Sequence, residues 1–125
     1  MIAPVAHWSL TIRDGPRVQR TSFDTLAAAL QALRARLDEL APSAHREPVE
    51  VLSHRYDAAL QVAVRAEVAG PGGRHGGVDL RGDGSTEAYT GRWRRSLVTL
   101  EPGEDAIDGL RRALSAGGEA RPRGE

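Results

Sequence analysis

The sequence predicts a single α+β domain, in which two helices pack on one face of an antiparallel sheet of about six strands in the order ββαββββα. Three observations predict it: strict alternation of apolar and polar residues near the N-terminus, a leucine repeat at helical spacing, and glycine-rich turns between the remaining apolar stretches. At 125 residues the chain can bury a core of its own. Residues 1–116 are assigned to this domain, and residues 117–125 are expected to form a disordered tail.

The first element is a half-buried strand over Val5 to Arg13, where every second residue from Ala6 to Ile12 is apolar. Asp14-Gly15-Pro16 then has the composition of a tight turn. Arg17 to Thr21 can return beside the first strand, which makes a hairpin. Because this second strand has few apolar residues, we expect it at an edge of the sheet.

The first helix is predicted from leucines that recur every three or four residues, and from capping signals on either side. Leu26, Leu30, Leu33, Leu37 and Leu40 form one apolar stripe. Ser22 or Asp24 can cap its N-terminus. Pro42 is expected to end the helix and, with Pro48, to bracket a loop, since proline lacks the N–H that a helix needs.

The rest of the chain is predicted to be a four-stranded meander followed by a short helix. The strands are expected at 49–56, 60–68, 78–81 and 86–100. The last is long for one strand, so a bend or bulge is expected near Gly91. The second helix should begin after Pro102-Gly103 and end at Gly117-Gly118. The sheet positions predicted to pack against the helices are Trp8, Leu10, Ile12, Val62, Val64, Val78 and Leu80.

Composition excludes several classes of function. The chain has no cysteine, so disulfides, thiolate metal sites and thiol nucleophiles are impossible. No apolar run approaches the ~20 residues of a membrane span, and no leader pattern opens the chain, so a cytoplasmic location is expected. Seventeen basic residues balance seventeen acidic ones. All the basic residues are arginine, a bias typical of high-GC bacterial genomes, which weakens arginine content as evidence for phosphate binding.

No catalytic or metal-binding motif stands out. None of the serines lies in a Gly-x-Ser-x-Gly elbow, and the glycines of 70–77 lack phosphate-loop spacing. His7, His45, His54 and His75 are scattered over different elements, without the short spacing of paired metal ligands. We therefore expect neither a metal nor a cofactor, and a non-enzymatic role is favoured.

The candidate binding surface is the polar side of the predicted sheet. Gly91-Arg92-Trp93-Arg94-Arg95 places an aromatic residue among cations. If Trp93 points into the core, Arg92 and Arg94 share the polar face with other arginines. The candidate residues are Arg65, Asp79, Arg81, Asp83, Arg92 and Arg94. Cross-strand pairing of these arginines with Glu67 and Asp79 is the competing interpretation.

Three functions fit this sequence. The first is a non-catalytic protein-interaction or regulatory module that acts as a homodimer by pairing sheet faces or edges. The second is a nucleic-acid-binding domain that uses the arginines of the sheet face, including Arg95. The third is a small ligand-binding or enzymatic domain, with a site near the 78–92 hairpin and His54, Tyr56, Asp57 and Arg81 in its lining. No membrane partner is expected.

Overall fold

A computed structural model describes residues 7–44 and 62–120 of the chain. Within them the predicted α+β class and the order ββαββββα are confirmed. The strands are β1 (Trp8–Asp14), β2 (Arg17–Phe23), β3 (Val62–Ala69), β4 (His75–Arg81), β5 (Thr86–Thr90) and β6 (Ser96–Leu97). The helices are α1 (Leu26–Ala44) and α2 (Ala106–Ala120). The strands form one antiparallel six-stranded sheet in the order β2-β1-β3-β4-β5-β6.

The core lies between this sheet and the two helices. Leu33 of α1 and Leu110 of α2 are fully buried, and they join one cluster with the inward residues of β1, β3, β4 and β5. The register places Leu10 opposite Val68 and Val78 opposite Ala66, so the inward residues of neighbouring strands share one face. Both helices therefore cover the same face, as predicted, and the opposite face of the sheet carries the polar residues.

The helix bounds differ from the prediction at three points. Thr25, rather than Ser22 or Asp24, caps α1, because its hydroxyl accepts a hydrogen bond from the Ala28 N–H at 3.1 Å. Helix α1 continues past Pro42 to Ala44 rather than ending at the proline. Helix α2 runs to Ala120 rather than ending at Gly117-Gly118.

The strand bounds also differ. The predicted strand over 49–56 lies outside the described residues, and the sixth strand arises because the predicted 86–100 strand is two strands joined by residues 91–95. Strand β4 begins at His75 and not at Val78, so Gly76 and Gly77 are strand residues. Val62 is 38% exposed rather than in the core, because a register shift between Val62 and Val64 turns it outward.

Candidate functional site

The structure places the six candidate residues in three different parts of the described chain. Arg65, Asp79 and Arg81 lie together on β3 and β4, on the face opposite the helices. Asp83 lies in the turn between β4 and β5, and Arg92 and Arg94 lie in the five-residue loop between β5 and β6. The predicted single strip of arginines is therefore divided. We call the face opposite the helices the polar face and residues 91–95 the Trp93 loop.

The centre of the polar face is a bidentate ion pair. Arg65 and Asp79 are directly opposite in the β3–β4 register. The Arg65 Nε and Nη2 atoms donate to the two carboxylate oxygens of Asp79 at 2.8 and 3.1 Å. The hydrogen bonds to Asp79 raise the pKa of the Arg65 guanidinium above its ordinary value. Because the Asp79 side chain is only 11% exposed, this carboxylate is committed to Arg65 rather than to an external cation.

A second cluster forms around Glu67 and Tyr89. The Tyr89 hydroxyl donates to Glu67 at 3.3 Å, and Arg13 and Arg95 reach the same carboxylate at 3.6 and 3.5 Å. The Arg95 guanidinium also lies over the Tyr89 ring, 4.6 Å from its centroid. Burial raises the pKa of Tyr89 to about 12, and the nearby charge of Glu67 acts in the same direction. Tyr89 is thus held as a neutral phenol.

Gly77 makes room for this tyrosine. It is paired with Tyr89 across β4 and β5, and a Cβ atom at Gly77 would lie 2.7 Å from the Tyr89 hydroxyl and collide with the backbone oxygen of Ala66. A glycine inside a strand is the sequence signal for such a close approach. The sequence interpretation placed Gly77 in a loop and so missed it.

The polar face is therefore a network of paired charges. Arg81 pairs with Glu87 on β5, which adds to the Arg65 and Glu67 contacts. The competing interpretation, cross-strand arginine–carboxylate pairs, describes this face better than a row of arginines able to contact phosphates. What remains is a modest excess of cations over carboxylates.

Asp83 serves the turn that it occupies. Its Oδ1 atom accepts hydrogen bonds from the Ser85 hydroxyl at 2.6 Å and from the Ser85 N–H at 2.9 Å. The hydrogen bond from the Ser85 hydroxyl lowers the pKa of the Asp83 carboxyl, and the bond from the Ser85 N–H lowers it further by a smaller amount. This is the geometry by which short polar side chains stabilise tight turns. Asp83 has a structural explanation without any ligand.

The Trp93 loop is the most unusual surface feature. Trp93, at the middle of the loop, is 89% exposed rather than pointing into the core. Residues 91–95 are outside both strands, so alternation along a strand does not decide where their side chains point. Among the described residues, neither Arg92 nor Arg94 has an ion-pair partner. Leu97, two residues past the loop, is 65% exposed.

The remaining candidate chemistry concerns the histidines and the ligand site of the third alternative. Residues 7–44 and 62–120 contain no group of His, Asp and Glu placed to hold a metal ion. His54, Tyr56 and Asp57 lie outside the described residues, and the ligand site predicted around them lies there too. A shallow groove beside the β4–β5 turn, of about 200 Å³, is lined by Leu37, Leu80 and Thr86. It opens on the helix side, away from the polar face.

None of the described helices is both long and apolar enough to span a bilayer. Comparison with protein-family models, curated proteins and solved structures finds no match for this chain. The functional argument therefore depends on the geometry of its surfaces.

Proposed function

We propose that this chain is a non-catalytic protein-interaction module that forms a homodimer by pairing the β2 edges of two copies. The observation that supports it is that β2 is an edge strand of the sheet formed by residues 7–44 and 62–120. β2 is seven residues long, pairs regularly with β1 along its whole length, and exposes six of its seven residues. Such a strand presents unpaired backbone groups that can extend the sheet into another chain.

The two edges of the sheet differ in a way that favours β2. The opposite edge, β6, has only two residues, too few for a stable strand pairing. β2 contains no proline, and its pairing with β1 shows no bulge. Proline, bulges and charged side chains commonly protect natural edges. β2 has neither proline nor bulge, its charges are confined to Arg17 and Arg20, and it is long enough to pair with a second β2.

Charge argues for edge pairing over face pairing. The polar face carries more arginine than carboxylate, so two such faces brought together about a two-fold axis would place like charges opposite each other. The cations are Arg13, Arg20, Arg65, Arg81 and Arg95, and the anions are Glu67, Asp79 and Glu87. Edge pairing does not press these groups against one another.

The side chains of β2 favour a register centred on Gln19 over one centred on Arg20. Paired residues on opposite antiparallel strands point to the same face, so the two-fold axis must pass midway between the two copies of one β2 residue. An axis at Arg20 would place two arginines opposite each other, which is destabilising. An axis at Gln19 places the exposed Val18 opposite the partner's Arg20. Val18 can then cover the aliphatic stem of that arginine.

The test is the sign of a charge effect at Val18. Val18→Lys places a second cation opposite the partner's Arg20 and should weaken the dimer at least tenfold, whereas Val18→Glu should tighten it. Size-exclusion chromatography with light scattering, from 1 to 500 μM, measures both. Gln31→Lys adds the same charge at an exposed position of α1 and should leave the dimer unchanged.

Since Arg13 is the neighbour of Val18 on β1, thermal unfolding of each variant must show that the fold is retained. A wild-type chain that stays monomeric over this concentration range would overturn the homodimer. Equal effects of lysine and glutamate at Val18 would overturn the Gln19-centred register.

The two alternatives have less support. A nucleic-acid-binding sheet face requires unpaired cations along a track, yet Arg65 and Arg81 are paired with carboxylates. A ligand site on the 78–92 hairpin requires a concave surface with convergent polar groups, whereas the polar groups of that hairpin are used in ion pairs and in the Asp83 turn.

A further inference from the structure

We infer that the Trp93 loop is a second contact surface, separate from the β2 edge, and that it binds an acidic segment of a different protein that also carries apolar side chains. Large aromatic residues are normally at least partly covered in a folded chain. Trp93 is 89% exposed, and the adjacent Arg92 and Arg94 are exposed as well. Tryptophan and arginine are the residues most enriched among those that dominate the binding energy of protein interfaces.

The base of the loop is fixed by several contacts. The Gly91 N–H donates to the His75 carbonyl at 2.7 Å, and the His75 Nδ1 atom lies 3.2 Å from the Gly91 carbonyl. Gly91 has a positive φ of 97°, and a Cβ there would collide with the Arg94 carbonyl oxygen. At the far end, Arg95 is held by Tyr89 and Glu67. The exposed tip is therefore presented on a fixed base, which lowers the entropy cost of binding.

Charge identifies the class of partner. Arg92 and Arg94 have no ion-pair partner within residues 7–44 and 62–120, whereas most other cations of the sheet side are paired. Carboxylates supplied by a partner protein would give these two arginines their ion-pair partners. Leu97, 65% exposed beside the loop, adds apolar area that a charged polymer alone would not cover. The complementary surface is thus acidic and partly apolar.

A second copy of this chain and a nucleic acid fit the loop less well. Two Trp93 loops related by a two-fold axis would bring four unpaired arginines together. For a nucleic acid, Trp93 is the single highly exposed aromatic residue among those described, so successive bases have no stacking platform. With only two unpaired cations, the binding constant for a nucleic acid would fall with only about the second power of the salt concentration. The corresponding electrostatic contribution is too small for useful affinity.

The experiment selects partners without assuming one. A phage library of random dodecapeptides is selected on the immobilised full chain and counter-selected on its Trp93→Ala variant. Enriched peptides should be net negative and contain apolar residues, with dissociation constants on the order of micromolar or weaker for so small a surface. Affinity for the best peptide should fall at least tenfold in Trp93→Ala and in the Arg92→Glu/Arg94→Glu double variant.

Arg111→Glu is the matched control, because it reverses an exposed arginine on α2, away from the loop, and should change affinity less than twofold. Selection on the Arg92→Glu/Arg94→Glu variant should instead enrich basic peptides. The inference is overturned if no peptide is enriched over the Trp93→Ala variant, or if the enriched peptides are neutral or basic. Tighter binding of a 20-nucleotide oligothymidylate than of any peptide would reassign the loop to nucleic acid. None of these outcomes depends on dimer formation.

Discussion

Tyr89 shows how a side chain on the outer face of a sheet can be buried without reaching the core. It is only 2% exposed, because Gly77 opens space beneath it and the Arg95 guanidinium covers its ring. A phenolate in this site would lose its hydration and lie beside the Glu67 carboxylate. The folded chain therefore binds the phenolic proton more tightly than the unfolded chain does.

This difference predicts a loss of stability at high pH. The pKa of Tyr89 is raised from about 10 in the unfolded chain to about 12 in the folded one. Its contribution to the free energy of unfolding is therefore complete below pH 10 and is lost as the pH rises to 12. The expected loss is about 2 to 3 kcal/mol, measured by guanidinium chloride unfolding between pH 9 and pH 12.

Tyr89→Phe is the control, because it keeps the ring under Arg95 and removes the titrating group. Its unfolding free energy should depend much less on pH over the same interval. Identical slopes in the wild type and in this variant would contradict the assignment.

Trp93 marks the limit of what alternation along a strand can predict. The period-2 pattern correctly predicted the inward Trp8, Leu10 and Ile12, because those residues remain in a regular strand. The predicted strand over 86–100 includes Trp93, whereas the observed strand β5 ends at Thr90. The positive φ of Gly91 breaks the alternation, and no pattern of apolar residues records where side chains of the following loop point.

The two helices are joined by an ion-pair clamp at the N-terminus of α2. Arg34 of α1 donates to Asp105 at 2.6 Å and to Asp108 at 3.3 Å. The hydrogen bond from Arg34 lowers the pKa of the Asp105 carboxyl to about 2. The same end of α2 holds a second pair, in which Arg112 lowers the pKa of Glu104 to about 2. Glu104 and Asp105 lie just before the first residue of α2, where the helix dipole stabilises negative charge.

The clamp predicts part of the acid sensitivity of the fold. A carboxyl whose pKa is lowered by folding stabilises the folded chain above its unfolded pKa, near 4, and loses that effect as the pH falls to about 2. Arg34→Gln removes the cause of the shift. The variant should be less stable than the wild type at pH 6, and the difference should shrink by pH 2. Urea unfolding monitored by circular dichroism measures both.

Arg36→Gln is the matched control on α1, since Arg36 pairs with Glu39 of the same helix and donates to the neutral Gln19 side chain of β2, with no ion pair to α2. Its effect should be small at both pH values, as is usual for an exposed pair within one helix. A constant difference between Arg34→Gln and the wild type from pH 6 to pH 2 would show that the clamp does not titrate in this range.

The elements themselves were predictable where many residues repeat one pattern. The leucine spacing of α1 and the alternation of β1 each rest on several positions, and both were confirmed. Element ends rest on one or two residues with alternatives nearby. Thr25 could cap a helix as well as Ser22 or Asp24 could, and only the chain path decides among them. The register shift at Val62 likewise depends on how β3 pairs with β4, which the residues around Val62 do not encode by themselves.

The candidate site was only partly predictable for the same reason. The sequence correctly placed Arg65, Asp79 and Arg81 on a polar face, and it named cross-strand pairing as one interpretation of that face. It could not show that Glu67, Tyr89 and Arg95 converge, because they come from three different strands or loops. Pairing register is a long-range property, and it decided which arginines have carboxylate partners.

The two proposed surfaces lie at opposite edges of the sheet, and this has a consequence for binding. β2 is the first strand across the sheet, and the Trp93 loop adjoins β6, the last. Counting the six strands described for each copy, a dimer joined at β2 would have twelve continuous strands and would carry its two Trp93 loops roughly 50 Å apart, given about 4.8 Å between strands. Such a dimer can bind two acidic segments at once when they are fixed on a surface at matching spacing.

Bivalent binding predicts a dependence on ligand density that a monomer would not show. On a biosensor densely coated with the best selected acidic peptide, the wild type should dissociate at least tenfold more slowly than on a sparse coating. At concentrations where it is monomeric, the Val18→Lys variant should dissociate equally fast from both coatings, while its affinity for the same peptide in solution stays within twofold of the wild-type value. Val18→Glu should keep the density dependence. If Val18→Lys is monomeric by light scattering and still shows the density dependence, the two loops are not coupled through the β2 edge.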